Sequence, residues 1–268
     1  MQGFWPSTIQ PIRDHGAIPM VTWAPEAMGG GTNQPAFSLS QIINGAYDSY
    51  ITSWATGAKN WGHPFFLRWG HEMNGNWFPW SETANGNQPG QFVQAWRHIH
   101  DIFTAVGATN VSWVWCPNVE FSGSTWPSYS SLYPGDSYVD WTGLDGYNWG
   151  PNYPSNGGWI SFNNLYSRSY GELNTLAPAK PIMISEYAST ENGGSKAAWI
   201  TDTMSTQLPA NFPKVKAVVW YNRSADGMDW PIESSASATS AYATAAQNRY
   251  FAANQYGNLN ASPIPPLP

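Results

Sequence analysis

The sequence predicts an α/β barrel, and three observations carry that prediction. Six short apolar runs alternate with longer amphipathic segments along the chain, the pattern of successive βα units feeding a parallel sheet. The length of 268 residues suits one barrel, which needs about 250. A doubly wound sheet fits less well, because the glycine run Gly29–Gly31 has neither the P-loop lysine nor the dinucleotide spacing.

The elements follow in order. Trp5–Gly16 reads as a helix and Ile18–Trp23 as the first strand, an apolar run before a polar, glycine-bearing stretch. A helical pattern over Ser40–Lys59 leads to the second strand, Phe65–Trp69, and a second over Gly90–Val106 to the third, Val111–Trp115. Val139–Leu144 is the fourth strand, followed by a helix over Phe162–Leu176. Ile182–Ser185 is the fifth, with Gly194–Gln207 helical after it, and Val215–Trp220 is the sixth, with a last helix over Ala236–Ala253. One catalytic barrel domain is expected over residues 1–259, while Asn260–Pro268, ending in Pro-Ile-Pro-Pro-Leu-Pro, reads as a stiff linker or surface tail leading to a further module.

Composition narrows the function. Charged residues are 10% of the chain and aromatics 16%, with 17 Trp, against roughly 25% charged residues in an average domain. A net charge of −6 without a Lys/Arg cluster argues against nucleic acid. Abundant Trp and Tyr beside Asn, Gly and Ser suit neutral sugars, since aromatic faces cover the C–H faces of pyranose rings and amides bond their edges. Most of these rings must still be core. Cys116 stands alone, so no disulfide framework or Cys-based zinc site is expected. No apolar run is long enough to span a membrane, and no leader is visible. Export is expected, with any leader outside these residues.

In a parallel barrel the functional groups gather at strand ends. Phe65–Phe66–Leu67–Arg68–Trp69–Gly70–His71–Glu72 runs from a buried strand straight into polar loop, and Ile182–Met183–Ile184–Ser185–Glu186 repeats the device. Two glutamates placed this way match glycoside hydrolysis, in which one carboxyl protonates the leaving oxygen while another, ionised, attacks or stabilises the sugar carbon. His71–Glu72 also begins a His-Glu-x-x-His zinc motif, but position 75 is Gly75, so no metal is expected. No cofactor is expected either.

The segment Arg68-x-x-His71–Glu72–Met73–Asn74–Gly75-x-Trp77–Phe78-x-Trp80 resembles the acid/base motif of glycoside hydrolase family 26. Gly16–Trp23, Asp145–Gly146–Tyr147–Asn148–Trp149, Ile184–Ser185–Glu186–Tyr187, and Val219–Trp220 with Asp229–Trp230 extend the resemblance from about Gly16 to Ser235. The resemblance implies a (β/α)8 barrel and net retention, with Glu72 as acid/base and Glu186 as nucleophile. It also implies that His71, Arg68 and Tyr147 position the sugar or the carboxylates, with Trp77 and Trp220 as aromatic walls. Trp23 and Asn74 are expected to bind substrate, and Arg68, whose fixed guanidinium fork suits a carboxylate, is expected to bond one and keep Glu186 ionised. Known members act mainly on β-mannan, some on mixed-linkage β-glucan or β-1,3-xylan, so an endo-β-1,4-mannanase is the leading expectation. Mixed-linkage glucanase or β-1,3-xylanase activity is the alternative, and a non-catalytic carbohydrate-binding barrel the alternative of another class. Two departures stand out. Ala24 follows Trp23 where family members often have Glu, Glu26 coming only later. Six strands also leave two of eight unaccounted for upstream, so either the barrel is incomplete at its N-terminus or a strand escapes pattern reading.

Overall fold

A computed structural model describes residues 2–121, 124–151, 153–251 and 259–266. It has six parallel strands among those residues, in the order β1 to β6, as the alternation of apolar runs predicts. The described residues group into two compact units, one holding residues 2–118, 125–142 and 259–266, the other residues 119–121, 124 and 143–251.

In the first unit, α1 (Pro6–Asp14) precedes β1 (Met20–Trp23), then come α2 (Leu39–Ile43), α3 (Asp48–Trp61), β2 (Phe65–Trp69), α4 (Gln91–Val106), β3 (Val111–Trp115) and the short α5 (Tyr129–Leu132). The expected single helix over Ser40–Lys59 is two helices. Gly45 between them takes φ +81°, a left-handed conformation that ends α2 and that glycine adopts without steric cost. β1 and β2 pair with Thr22 opposite Arg68 and Trp23 opposite Trp69, and β2 and β3 pair with Phe65 opposite Val111. Every β2 residue is buried, as expected for a parallel strand covered on both faces.

Alternation along β2 divides its work. Trp69 packs toward α4, stacking on Phe92 at 5.4 Å between ring centres and meeting Trp96 at 6.0 Å. Arg68 points to the opposite face, where its guanidinium donates to Thr22 Oγ1 at 2.8 and 3.1 Å. Trp23 likewise faces the helices, stacked on Trp54 of α3 at 4.6 Å. Each such large aromatic, when fully buried, contributes about 1.5–3 kcal/mol.

β4 (Trp141–Asn148) begins in the first unit, where Val114 pairs with Trp141, and its later residues belong to the second. There α6 (Phe162–Leu176), β5 (Ile182–Ser189), α7 (Lys196–Asp202), α8 (Leu208–Asn211), β6 (Val215–Trp220) and α9 (Ala236–Ala246) follow. A π-helical stretch, Thr203–Gln207, joins α7 to α8. β5 and β6 pair with Ile182 opposite Val215 and Tyr187 opposite Trp220, with two register shifts between. β4 and β5 run longer than their apolar cores, so Asp145, Tyr147 and Glu186 lie within strands rather than after them.

The C-terminal tail departs from its reading as a surface linker. Ile264 is buried, its N–H donates to Ser112 Oγ at 2.7 Å and its carbonyl accepts from Trp141 Nε1 at 2.8 Å. No helix among the described residues is long and apolar enough to cross a membrane.

Candidate active site

Glu72 sits just past β2 in an unusual backbone conformation, with φ +53°. A non-glycine residue in the left-handed region costs of order 1–3 kcal/mol and persists only where its surroundings fix it. Here they do. Its N–H donates to Cys116 O at 2.8 Å, and its carbonyl accepts from Gly75 N at 3.0 Å. The side chain is 7% exposed, and each carboxylate oxygen accepts from a neutral donor: Oε1 from Asn118 Nδ2 at 2.9 Å and Oε2 from Trp77 Nε1 at 2.7 Å. The Trp77 indole lies directly over Gly75, where a Cβ would come within 2.4 Å of the ring. Glycine at 75 therefore lets the indole reach Glu72.

Asn74, expected to contact sugar, is wholly buried and spends both ends of its amide on one residue. Its Nδ2 donates to Asn118 O at 3.0 Å, and its Oδ1 accepts from Asn118 N at 2.9 Å. It thus fixes Asn118, which in turn holds Glu72. No pattern along the chain marks the pairing of Asn74 with Asn118, residues 44 positions apart. Trp77, 36% exposed, meets Trp126 edge-on at 5.1 Å, which gives the Glu72 side an aromatic pair open to solvent.

His71 packs against Phe78 and Trp80 at 4.8 and 5.4 Å. Burial, and then the Arg68 charge, hold its imidazole well below the usual value of 6.5, so the ring is neutral. Its Nδ1 is buried without a hydrogen-bond partner among the described residues. Arg68 is almost fully buried, and besides Thr22 its guanidinium approaches Cys116 Sγ at 3.9 Å.

In the second unit, Glu186 lies in β5 and its Oε2 accepts a short hydrogen bond from the Tyr147 hydroxyl. Tyr166 of α6 ties the two strands together, its hydroxyl donating to Gly146 O at 2.8 Å and lying 3.0 Å from Glu186 O. The Tyr147 ring is held by Trp230 at 5.1 Å, Tyr221 at 5.6 Å and Trp149 at 5.7 Å. Sequence reasoning did not weigh Tyr166, and it found Trp230 only as part of the resemblance, without the contact to Tyr147 that packing gives it.

Trp220, expected as an aromatic wall, and Trp23, expected to bind substrate, both pack toward helices. Trp220 faces the helices, against Tyr187, Trp199 and Tyr242 at 4.9, 6.1 and 5.8 Å, and is 7% exposed. Trp23 faces α3 and helps line a cavity of about 420 Å³ with Trp5, Glu26, Tyr47, Tyr50 and Trp69. Burial raises the Glu26 carboxyl above its ordinary value there.

The model of glycosyl hydrolase family 26 matches residues 33–216. Endoglucanase H of Acetivibrio thermocellus is 41% identical over 235 residues, 86% of this chain and 24% of that protein. A mannan endo-1,4-beta-mannosidase of Bacillus subtilis is 30% identical over 200 residues, 67% of this chain and 50% of that protein. The chain thus spans between a quarter and a half of these two relatives. Among solved structures, the catalytic domain of a Bacillus sp. JAMB-750 endo-beta-1,4-mannanase superposes with a TM-score of 0.71 over 94% of this chain and 71% of that one, at 20% identity, a likeness of fold alone.

Proposed function

Since the chain belongs to glycoside hydrolase family 26, we propose that it is a retaining endo-hydrolase of a β-linked polysaccharide, with Glu72 as acid/base and Glu186 as nucleophile. The observation that carries the reading is a pair of glutamates in a parallel barrel fold, one just past β2 and one in β5, each carboxylate accepting from neutral donors: Asn118 and Trp77 for Glu72, Tyr147 for Glu186. Donors of this kind orient a carboxylate without neutralising it.

In the proposed reaction, Glu186 attacks the anomeric carbon and the glycosidic bond breaks as Glu72 gives its proton to the leaving oxygen. Glu72 then takes a proton from water, whose oxygen attacks the same carbon and releases Glu186. Two inversions give net retention. Tyr147 aims the nucleophile, and neutral His71 offers a ring nitrogen to a sugar hydroxyl. Arg68 contributes fixed positive charge that favours ionised carboxylates, while Trp77 and Trp126 present rings to the sugar on the acid/base side. Asn74 acts through Asn118. Trp23 and Trp220, packed toward the helices, support the strands.

β-1,4-Mannan is the first substrate of this proposal, in line with the mannosidase relative. A second reading, a β-glucan, is favoured by one observation: the endoglucanase relative matches more of this chain at higher identity. The two sugars differ in an axial or equatorial 2-hydroxyl at the cleavage subsite. Reducing-sugar release from mannan, barley β-glucan and β-1,3-xylan, with product anomers followed by NMR, tests both. Release from none of them, or an inverted first product, would overturn the proposal. A substrate too large to enter a cell supports secretion, and the partial coverage of both relatives supports a further module in the full protein.

A further inference from the structure

Lys196 is the first residue of α7, whose Ser195 cap accepts from Ala198 N at 3.1 Å. It is wholly buried, which a lysine tolerates only with its ammonium fully engaged. The three N–H groups of the ammonium are shared among four acceptors, the carbonyls of Asp229 at 2.6 Å, Trp230 at 3.1 Å and Pro231 at 2.8 Å and the Ser234 Oγ at 2.9 Å, and the nitrogen lies 5.7 Å from the centre of the Trp220 ring. Three backbone carbonyls and a hydroxyl converging on one cation form a cage of the kind that holds a small monovalent ion. Burial lowers the pKa of the ammonium, and the nearby Asp229, Glu191 and Glu233 partly oppose that shift.

The caged segment follows β6 and is fixed at other points. Asp226 and Gly227, both with positive φ, form the tight turn between the bridged residues Ala225 and Met228. The Asp229 carboxylate accepts from Thr190 Oγ1 at 2.6 Å and from Glu191 N at 3.0 Å, and Trp220 Nε1 donates to Trp230 O at 2.9 Å. The cage therefore clamps the residue whose indole backs Tyr147, and Tyr147 is the donor to Glu186.

We propose that Lys196 is a positioning residue for the nucleophile: its ammonium cage holds the loop 229–234 so that Trp230 seats Tyr147 against the Glu186 carboxylate. This rests on the assignment of Glu186 above. Lys196 touches no substrate and moves no proton. It acts through three linked contacts, from ammonium to Trp230 carbonyl, from Trp230 ring to Tyr147 ring, and from Tyr147 hydroxyl to carboxylate.

The test is Lys196→Ala in the full chain, measured on whichever polysaccharide the wild type cleaves. The expected loss is roughly tenfold to a hundredfold in kcat, the scale of a misplaced reacting group, with KM little changed and the acid limb of the pH profile displaced. n-Propylammonium, which replaces the deleted atoms, should restore a measurable part of kcat, and n-propanol should not. In a Tyr147→Phe background the same substitution should cost little more, because the route to Glu186 is already cut. Should Lys196→Ala not fold, Ser234→Ala removes one acceptor and should displace kcat and the acid limb in the same direction by a smaller factor. Full kcat in a folded Lys196→Ala, additive losses with Tyr147→Phe, or an unaltered acid limb in Ser234→Ala would each overturn the role of Lys196. Failure of the wild type to hydrolyse any β-glycan would instead remove the assignment of Glu186.

Discussion

Acidification should destabilise the protein through His71, and the size of the effect follows from its surroundings. The ring is packed against Phe78 and Trp80, and burial and the Arg68 charge hold its protonation well below 6.5. In the unfolded chain the same imidazole takes up a proton as pH falls through about 6.5. Below that pH the unfolded state binds more protons than the folded one, so stability falls with falling pH until the folded pKa is reached, and nothing is lost above about 7. The loss is at most about 1.4 kcal/mol per pH unit, so going from pH 6.5 to 5 costs up to about 2 kcal/mol. For a domain of this size that is a fall in Tm of roughly 4–8 °C. The perturbation is His71→Gln, which keeps a polar group but no group titrating in this range. The assay is calorimetric Tm from pH 8 to 5 for both proteins. The variant should be less stable at pH 7 through lost packing, yet its Tm should fall less on acidification by about that amount, since every other titrating group is shared. Parallel Tm curves would refute the argument by showing that His71 charges equally well folded and unfolded.

Three further outcomes are expected. Glu186→Ala should abolish turnover while keeping the fold, and azide should restore cleavage with a product of inverted configuration; activity within tenfold of wild type would remove Glu186 from the mechanism. Glu72→Gln should slow polysaccharide cleavage by roughly 10²-fold or more, yet slow glycosylation by an aryl glycoside with a good leaving group far less. Equal losses on both substrates would disprove the acid role. Gly75→Ala should push the Trp77 indole off Glu72 Oε2, because the new Cβ would meet the ring at 2.4 Å. The lost hydrogen bond should appear as a fall of roughly tenfold or more in kcat/KM, about 1.4 kcal/mol, with some loss of Tm, and wild-type rates would show that Trp77 does not hold the acid.

The sequence by itself determined the α/β class and the six parallel strands in their order, and it singled out Glu72 and Glu186 as candidates. Each of these is written in local pattern: an apolar run long enough for a strand, or a buried strand that ends abruptly in polar residues, as Phe65–Trp69 does before His71 and Glu72. The tertiary structure decided which way the side chains point. Trp23 and Trp220 lie at strand ends, where a cleft wall is expected, yet both face the helices. A strand sends alternate residues to opposite faces, and the register shifts between β5 and β6 break any count made along the chain. Long-range partners were equally hidden. Ser112 meets Ile264 across 152 positions, the Lys196 cage is built from carbonyls 33 to 35 residues further on, and the left-handed turn at Glu72 is fixed by Cys116 on the next strand. Backbone carbonyls carry no residue identity, so no sequence pattern marks where they converge; only the folded chain brings them to one ammonium.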